Sequence, residues 1–291
     1  MKEISKETII TKEKELLRPT NDIVFQSLFT QKNEEITKSF ISDLLGEEII
    51  NIKINENKEL FRERPEDKLG ILDLEAEVNN NEKIDIEVQL TDKHNLVERI
   101  MWYFSRIYYK QIGKGDDYRK AKRVVIIAIV NFDIDVTKQI SQMETIWNLR
   151  EKKYKDLILT DKIELHIINL NKAMRDYKNN KDNRKAQWML FLNNPNDKEV
   201  ESVMKNNDGV KKAVVEIVKM TEDEKMERLA FLRQKARLDE KSMYNMGVED
   251  GIKEGEKNKQ KDIAKKMKNQ GIDINIIAKT TELTMEEIKK L

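Results

Sequence analysis

The chain has 291 residues, of which 38% are hydrophobic and 37% are charged, and its formal net charge at pH 7 is +1. Cysteine is absent, which excludes disulfides, cysteine-ligated metal centres and cysteine nucleophiles and suits a reducing cytoplasm. The longest apolar run, Val124 to Val130, is far shorter than the roughly 20 residues that span a bilayer, so we expect a cytoplasmic protein without a membrane partner.

Helices and strands alternate along the first 170 residues. Asn21 and Asp22 are typical of a helix start, and Gly46 is typical of a helix end. The predicted elements are a helix over 20–46, a strand over 49–54, a loop over 61–68, strands over 71–78 and 84–90, a helix over 93–112, and strands over 124–130 and 163–170. Beyond residue 171 the pattern predicts helices over 185–193, 197–206, 209–220 and 221–268, and two short helices in the last 20 residues.

This order predicts an α/β domain with a mixed central sheet, followed by a helical C-terminal extension. We place the boundary between a domain of residues 1–180 and an extension of residues 181–291. The extension combines a long charged helix with a terminal helical hairpin, and its helices are candidates for a homodimer contact.

The two strands at 71–78 and 84–90 carry the strongest chemical signal. Each places apolar side chains on one face and polar side chains on the other. If Val78 pairs with Ile84, the apolar faces coincide and the connecting turn has five residues. One face then gathers five carboxylates and one amide, from Asp73, Glu75, Glu77, Asp85, Glu87 and Gln89.

Like charges that lie opposite each other destabilise a sheet. Full solvation, nearby lysines or arginines, or a bound divalent cation would offset that repulsion. Asp73 and Glu87 are diagonal neighbours in this register, about 7–8 Å apart at the backbone, so an oxygen-seeking ion such as Mg²⁺ could bind both. The alternative is a polar strand face that is open to water.

Charge is distributed unevenly along the chain. Residues 1–92 contain 13 Lys and Arg against 22 Asp and Glu, whereas residues 93–185 contain 21 against 12. Carboxylates set inside a positive surface suit metal-dependent chemistry on a polyanion. The alternative is that these charges belong to solvated faces.

Three blocks of the sequence resemble the Rpn family of recombination-promoting nucleases, also known as PD-(D/E)xK family transposases. Asp73, followed after thirteen residues by Glu87-Val88-Gln89, resembles the D…(D/E)xK signature with glutamine in the lysine position. The three blocks are LLRPTNDIVFQSLF (16–29), GILDLEAEVNNNEKIDIEVQL (70–90) and WYFSRIYYKQIGKGDDYRKAKRVVIIAIVNF (102–132), and the lysine-rich C-terminal part resembles the tail of that family.

The resemblance implies a restriction-endonuclease-like core and a DNA endonuclease that depends on Mg²⁺ or Mn²⁺, with a role in recombination or transposition. Asp73 and Glu87 would be metal ligands, with the backbone carbonyl of Val88 as a third. Gln89 would position the attacking water, because an amide neither holds a positive charge nor readily accepts a proton. Asp22 matches an acidic residue that reaches the active site from the first helix; the alternative is that it only caps that helix.

Basic residues beside the carboxylate face are candidates for DNA contacts. They are Arg106, Lys120, Lys122 and Arg123. Phosphate contacts carry no base information, so we expect low sequence specificity. Duplex DNA is favoured because no aromatic stacking platform stands out. Glu75 and Asp85 do not match the signature and are interpreted as charges at the rim.

Two further functions stay open at this point. One is a DNA-binding or transposition accessory protein whose nuclease core does not cut. The other is a helical interaction protein with a solvated hairpin face.

Overall fold

The computed structural model describes residues 15–55, 59–60, 70–71, 74–79, 82–90 and 95–291. They form two compact units, of which the first ends at Arg233 and the second spans Gln234–Leu291. Among these residues, no helix is both long and apolar enough to cross a membrane.

A mixed six-stranded sheet forms the centre of the first unit. The described residues form eight strands, of which six belong to this sheet: β1 (Ile52–Asn55), β2 (Glu59–Leu60), β3 (Gly70–Ile71), β4 (Leu74–Val78), β5 (Glu82–Gln89), β6 (Val124–Val130), β7 (Glu144–Trp147) and β8 (Ile163–Asn169). The sheet has the order β1-β4-β5-β6-β8-β7, and β2 and β3 pair separately. The β5–β6 and β6–β8 pairs are parallel and the others are antiparallel. The predicted α/β class with a mixed sheet is confirmed.

Helices cover both faces of the sheet. The described residues form the helices α1 (Asp22–Leu28), α2 (Glu34–Leu45), α3 (Leu96–Tyr109), α4 (Leu170–Asn179), α5 (Arg184–Asn193), α6 (Lys198–Asn206), α7 (Asp208–Glu222), α8 (Glu224–Asn269), α9 (Ile274–Thr281) and α10 (Met285–Lys290), of which α9 and α10 belong to the second unit. Buried residues of α1, α2 and α4 to α7 share one core with Val125, Ile127 and Ile129 of β6. Helix α3 packs on the other face of the sheet, against Val124, Ile126 and Ala128.

The single helix predicted over 20–46 is two helices. A 3-10 turn over Gln31–Asn33 separates α1 from α2. The hydroxyl of Thr30 accepts a hydrogen bond from the amide of Asn33, and Nδ2 of Asn33 donates to the carbonyl of Leu28 at 2.9 Å. These polar side chains satisfy backbone groups locally, which favours a break over a continuous helix. The predicted end at Gly46 is confirmed by its left-handed φ of 70°.

The first unit extends further along the chain than the predicted boundary at residue 180. Helices α5, α6 and α7 contribute large buried side chains, including Trp188 and Phe191, to the core beneath the sheet. A domain that ended at residue 180 would lose these side chains from its core. The compact unit therefore includes α5, α6 and α7 and ends at Arg233.

The second unit has a small core of its own. Ala264 of α8 packs with Ile277 of α9, Ile288 of α10 and Leu283 of the turn between these two helices. A capping box between Thr284 and Glu287 begins α10. The two short helices predicted at the C-terminus are therefore confirmed.

Candidate functional site

The β4–β5 hairpin has a register different from the predicted one. Leu74 pairs with Ile86, and Glu77 pairs with Lys83, so the predicted pairing of Val78 with Ile84 is wrong by two residues. The observed register sets Lys83 opposite Glu77, and their side chains form an ion pair. The predicted register would instead place Glu77 opposite Asp85, with two like charges in contact.

A shift of two residues leaves every side chain on its predicted face. In the parallel ladder, Asp85 pairs with Ile126 and Glu87 pairs with Ala128, and these partners lie on the face that α3 covers. Asp85 is 0% exposed and Glu87 is 2% exposed. The alternative of a polar face open to water is wrong for both residues, and so is the interpretation of Asp85 as a rim charge. Both carboxylates lie inside the protein, under a helix.

Arg99 of α3 binds the polar face of β5. Its Nη1 donates to Oε1 of Gln89 at 2.7 Å, and its Nη2 lies 3.2 Å from Oε2 of Glu87. The same Nη2 lies 3.1 Å from the hydroxyl oxygen of Tyr103, and the guanidinium also lies over the Tyr103 ring. One cation therefore joins Glu87, Gln89 and Tyr103.

Tyr103 reports on the electrostatics of this site. Burial raises the pKa of its hydroxyl, and the negative charges of Glu87 and Asp85 raise it further, against the opposing effect of Arg99. The two carboxylates and the phenol are thus close enough to interact. At neutral pH the hydroxyl keeps its proton and is available as a hydrogen-bond donor.

Helical spacing places these groups above the strand. Arg99, Tyr103 and Arg106 follow one another at i, i+4 and i+7, which puts them on one side of α3. The buried residues Ile100 and Phe104 follow the same spacing one position later and pack on the sheet. The sequence analysis did not include Arg99 or Tyr103 among the site residues, although their helical spacing from Arg106 is visible in the sequence. Arg106, a predicted DNA contact, places its guanidinium over the Trp102 ring at 5.8 Å.

The second predicted metal ligand, Asp73, lies outside the described residues. Val88 lies on β5 between Glu87 and Gln89, opposite Ile129 of β6. Among the residues that the structure describes, no three His, Cys, Asp or Glu side chains form a group that could hold a metal ion. Asp85 and Glu87 alone supply two hard oxygen donors on one strand face, so a complete site needs a further ligand such as Asp73.

Asp22 has the contacts expected of a residue in the first turn of a helix. Its Oδ2 forms an ion pair with Nε of Arg233, and Asn21 caps α1 by accepting from the amide of Ile23. The buried residues of α1 pack on the sheet face opposite to α3. These contacts match the capping and dipole interpretation, and they do not bring Asp22 together with Glu87.

The predicted DNA-contact residues near β6 differ in accessibility. Lys120 and Lys122 are exposed, and Lys120 pairs with Asp116. Arg123 is instead bound by three carboxylates, those of Glu47, Glu82 and Glu164. Its guanidinium serves as an internal cation, so Lys120 and Lys122 are the exposed members of the predicted set near β6. Glu75, interpreted as a rim charge, is half-buried and accepts from Asn55 at 3.2 Å.

A second charged cluster lies on the other face of the sheet. Nδ1 of buried His166 is 2.8 Å from Oε1 of Glu144, and Nε2 is 2.6 Å from Oε1 of Glu164. Lys185 binds Glu144 and Arg123 binds Glu164. Burial by itself lowers the pKa of His166, but the two carboxylates outweigh it and raise that pKa. The hydrogen bond from His166 is the main cause that lowers the pKa of Glu164 to about 2.

Comparisons with known proteins identify the family. No curated protein and no solved structure matches the sequence. The family model described as PD-(D/E)XK nuclease family transposase matches residues 19–247, which is most of the chain. The mixed sheet between helices, with a helical region after it, is consistent with the restriction-endonuclease-like fold of that family. The chain therefore belongs to the PD-(D/E)XK nuclease family transposases.

Proposed function

We propose that this protein is a metal-dependent DNA endonuclease that hydrolyses phosphodiester bonds with low sequence specificity. The observation that carries the proposal is the arrangement of Glu87 and Gln89 on β5, with both side chains bound by Arg99 beneath α3. Burying a carboxylate is costly, and a fold keeps one inside only when it is paired or performs chemistry. The family to which the chain belongs supports a nuclease or a related transposase function.

The proposal assigns the metal to Asp73, Glu87 and the backbone carbonyl of Val88. It requires the β4–β5 ladder to continue one residue pair beyond Leu74 and Ile86, because Asp73 would then come directly opposite Glu87. Opposed side chains in an antiparallel pair start about 5 Å apart, which is close enough for two carboxylates to share one ion. Bound Mg²⁺ or Mn²⁺ would stabilise negative charge on the phosphate and lower the pKa of a bound water.

Arg99 takes over the charge that a signature lysine would carry. Gln89 stands in the lysine position and is neutral, yet its amide oxygen accepts a hydrogen bond from Arg99. A guanidinium does not lose its proton near neutral pH, so Arg99 acts by holding charge and geometry. We propose that it steadies Glu87 and faces the phosphate, while the amide NH₂ of Gln89 positions the attacking water.

DNA enters the proposal through basic residues of α3 and of the segment that precedes β6. Arg106, Lys120 and Lys122 are assigned to phosphates of a duplex, and such contacts are the same for every sequence. Arg123 is left out because three carboxylates bind its guanidinium. Asp22 is left out of the active site, since its observed partners are the amide of Ile23 in the first turn of α1 and the side chain of Arg233.

Three finer points belong to the same proposal. A role in recombination or transposition rests on the description of the family as transposases. A cytoplasmic location rests on the absence of cysteine. A homodimer through α8 rests on exposed apolar side chains such as Leu238, Met243 and Met246. Sedimentation at several protein concentrations tests the dimer.

Relaxation of supercoiled plasmid tests the proposed reaction. We expect nicking with Mg²⁺ or Mn²⁺, none with excess EDTA, and a loss of about 100-fold or more in Glu87→Gln and in Asp73→Asn. Glu75→Gln is the matched control, because it removes one carboxylate from the same hairpin face at a half-buried position. We expect this variant to cut at the wild-type rate.

Two results would contradict the proposal in different ways. Wild-type cleavage by Glu87→Gln would show that the active site lies elsewhere. Binding of DNA without cleavage under any metal condition would favour the accessory protein with a non-cutting core.

A further inference from the structure

A short hairpin extends the sheet beyond β7 and β8. Residues 148–161, which we call the arm, connect the end of β7 at Trp147 to the beginning of β8. Arg150 and Ile158 form an antiparallel bridge, the amide of Leu159 donates to the carbonyl of Leu149 at 3.0 Å, and the amide of Glu151 donates to the carbonyl of Leu157 at 3.0 Å. The arm is therefore an ordered two-stranded projection.

Side chains of the arm fix the shape of its tip. The Glu151 carboxylate accepts hydrogen bonds from the amides of Lys153 and Tyr154, both at 2.5 Å. Nη1 of Arg150 donates to the carbonyl of Lys155 at 2.8 Å. A preformed tip loses less conformational entropy when it binds a partner.

The tip sequence Lys152-Lys153-Tyr154-Lys155 presents three cations and one aromatic ring to solvent. All four residues are exposed, and the Tyr154 side chain is 71% exposed. Within the described part of the chain, none of the three lysines takes part in an ion pair. Exposed lysines without carboxylate partners are available to phosphates, and an exposed ring between them can lie against sugar or a base.

We propose that the arm binds duplex DNA at the phosphate backbone, at a distance from the cleavage site, with Lys152, Lys153 and Lys155 on phosphates and Tyr154 at the groove edge. This inference rests on the proposed nuclease function. Three strand spacings separate β5 from β7, and the arm adds about six residues along the strand direction, so its tip lies on the order of 30 Å from Glu87. At 3.4 Å per base pair this corresponds to about nine base pairs.

The charge of the tip favours DNA over a second copy of the chain. Leu157 and Leu159 on the flank of the arm are exposed and apolar, and a protein partner would bury them. Clustered lysines are depleted in the centres of protein interfaces, whereas they are common where phosphate is bound. We therefore assign the tip to DNA.

Fluorescence anisotropy with labelled duplexes in EDTA tests the arm, because EDTA prevents cleavage during the titration. The test variant is Lys152→Gln/Lys153→Gln/Lys155→Gln. The matched control is Lys198→Gln/Lys205→Gln/Lys211→Gln, which removes the same charge from exposed positions on α6 and α7.

On a 30-base-pair duplex, we expect the arm variant to bind 10- to 100-fold more weakly at about 0.1 M salt. The slope of log K against log salt should fall by about 2.7 for three lost phosphate contacts. In the control variant, the affinity and the salt slope should each change by less than a third of the change expected for the arm variant. On a 6-base-pair hairpin duplex, which is about 20 Å long and too short to reach from the cleavage site to the tip, the arm variant should bind like the wild type. Tyr154→Ala should weaken binding severalfold without changing the slope.

The outcomes separate this inference from the proposed function. One outcome is that the wild type cuts plasmid while the arm variant binds the 30-base-pair duplex as tightly as the control variant does. That result would contradict DNA binding by the arm and would still support the nuclease function. A wild type that neither binds nor cuts DNA would overturn both. A concentration-dependent dimer that the arm variant abolishes would assign the tip to a second copy and overturn the DNA contact.

Discussion

Arg99 of α3 donates a hydrogen bond to the side-chain oxygen of Gln89. In the proposed active site, Gln89 takes the position of the signature lysine and Arg99 supplies the positive charge. The position of a positive charge in a buried site matters more than the residue that supplies it, because a preorganised charge stabilises the transition state without reorganisation. The two positions should therefore substitute for each other in part.

This substitution can be tested directly. We expect Arg99→Ala to lower the rate of plasmid cleavage about 100-fold. The double variant Arg99→Ala/Gln89→Lys should recover about tenfold, because lysine restores a cation beside Glu87. Rates under saturating metal are the measurement, and circular dichroism shows whether each variant folds. Cleavage by Arg99→Ala at the wild-type rate would assign Arg99 to structure alone.

Arg99 also contributes to stability. Removing one partner of a buried ion pair leaves the other charge uncompensated. Because the Arg99 side chain is about one-third exposed, water compensates part of the loss, and we expect Arg99→Ala to cost about 2 kcal/mol. In the Glu87→Gln background the same change should cost less than half as much. Urea unfolding of the four proteins in this cycle measures the coupling, and equal costs in both backgrounds would show that no coupling exists.

At the level of elements, the His166 cluster joins β7, β8 and α5 through charge. Both ring nitrogens of His166 face carboxylates, so the protonated imidazole donates to Glu144 and Glu164 at once. Lys185 binds Glu144 from α5, and Arg123 binds Glu164 from the start of β6. The edge strand β7 is therefore attached by ionic hydrogen bonds in addition to its backbone ladder.

The cluster predicts a pH window for stability. The pKa of His166 is raised above 6.5, so its contribution is fully present below pH 6.5 and is lost as the pH rises through the folded-state value. The pKa of Glu164 is lowered from 4.5 to about 2, so its contribution is present above pH 4.5 and is lost as the pH falls. The cluster stabilises the protein most between about pH 4.5 and 6.5.

His166→Gln isolates this contribution. We expect the variant to be about 2 kcal/mol less stable than the wild type at pH 5.5, since hydrogen bonds to charged groups are lost. The difference should shrink as the pH rises through the raised folded-state pKa of His166. Urea unfolding at pH 5.5, 7 and 9 measures it, and a difference that is the same at all three values would remove His166 protonation from the explanation.

Sequence periodicity predicted those elements whose burial is regular. The seven buried residues of β6 form an unbroken apolar run, and its predicted bounds match the structure. Strand β7 was not predicted. Its four residues lie at the sheet edge and two of them are exposed, so its sequence lacks the alternation of apolar and polar residues that indicates a strand. The hairpin register was missed for a different reason. Alternation fixes the face of each residue but is the same after a shift of two, and the Lys83–Glu77 pair decides between registers.

The same limit applies to the site. Glu87 and Gln89 could be chosen from the sequence because their alternation and the signature spacing are local. Arg99 could not be assigned to them, since its partners depend on how α3 crosses the sheet. Arg123 shows the opposite error, because a residue in a basic stretch was expected at the surface and is bound by three carboxylates from distant segments.

For the whole molecule, the two compact units should unfold separately. Among the described residues, the core of the second unit contains four buried apolar side chains, whereas the core of the first unit beneath the sheet is several times larger. Small cores provide little stabilisation. All three tryptophans, Trp102, Trp147 and Trp188, belong to the first unit. Tryptophan fluorescence therefore reports on that unit alone, whereas far-ultraviolet circular dichroism reports on both.

We expect the two probes to give different urea transitions. Circular dichroism should show an early loss of helix that fluorescence does not detect, followed by a transition common to both. Leu283→Ala should move the early transition to lower urea and leave the fluorescence midpoint unchanged. Coincident transitions in the wild type would show that the two units unfold together.

The pairing of β5 on both of its edges also bears on how such a gene can change over generations. Asp85 and Glu87 face α3 because β5 is held in register with β4 on one side and β6 on the other. A slide of β5 by one residue would turn those carboxylates into the apolar core on the other face, and it would break both ladders at once. A change in the length of a connecting turn is absorbed within that turn and leaves the ladders as they are. Among descendants of this gene, selection should therefore tolerate length changes in the turns and remove those inside β5.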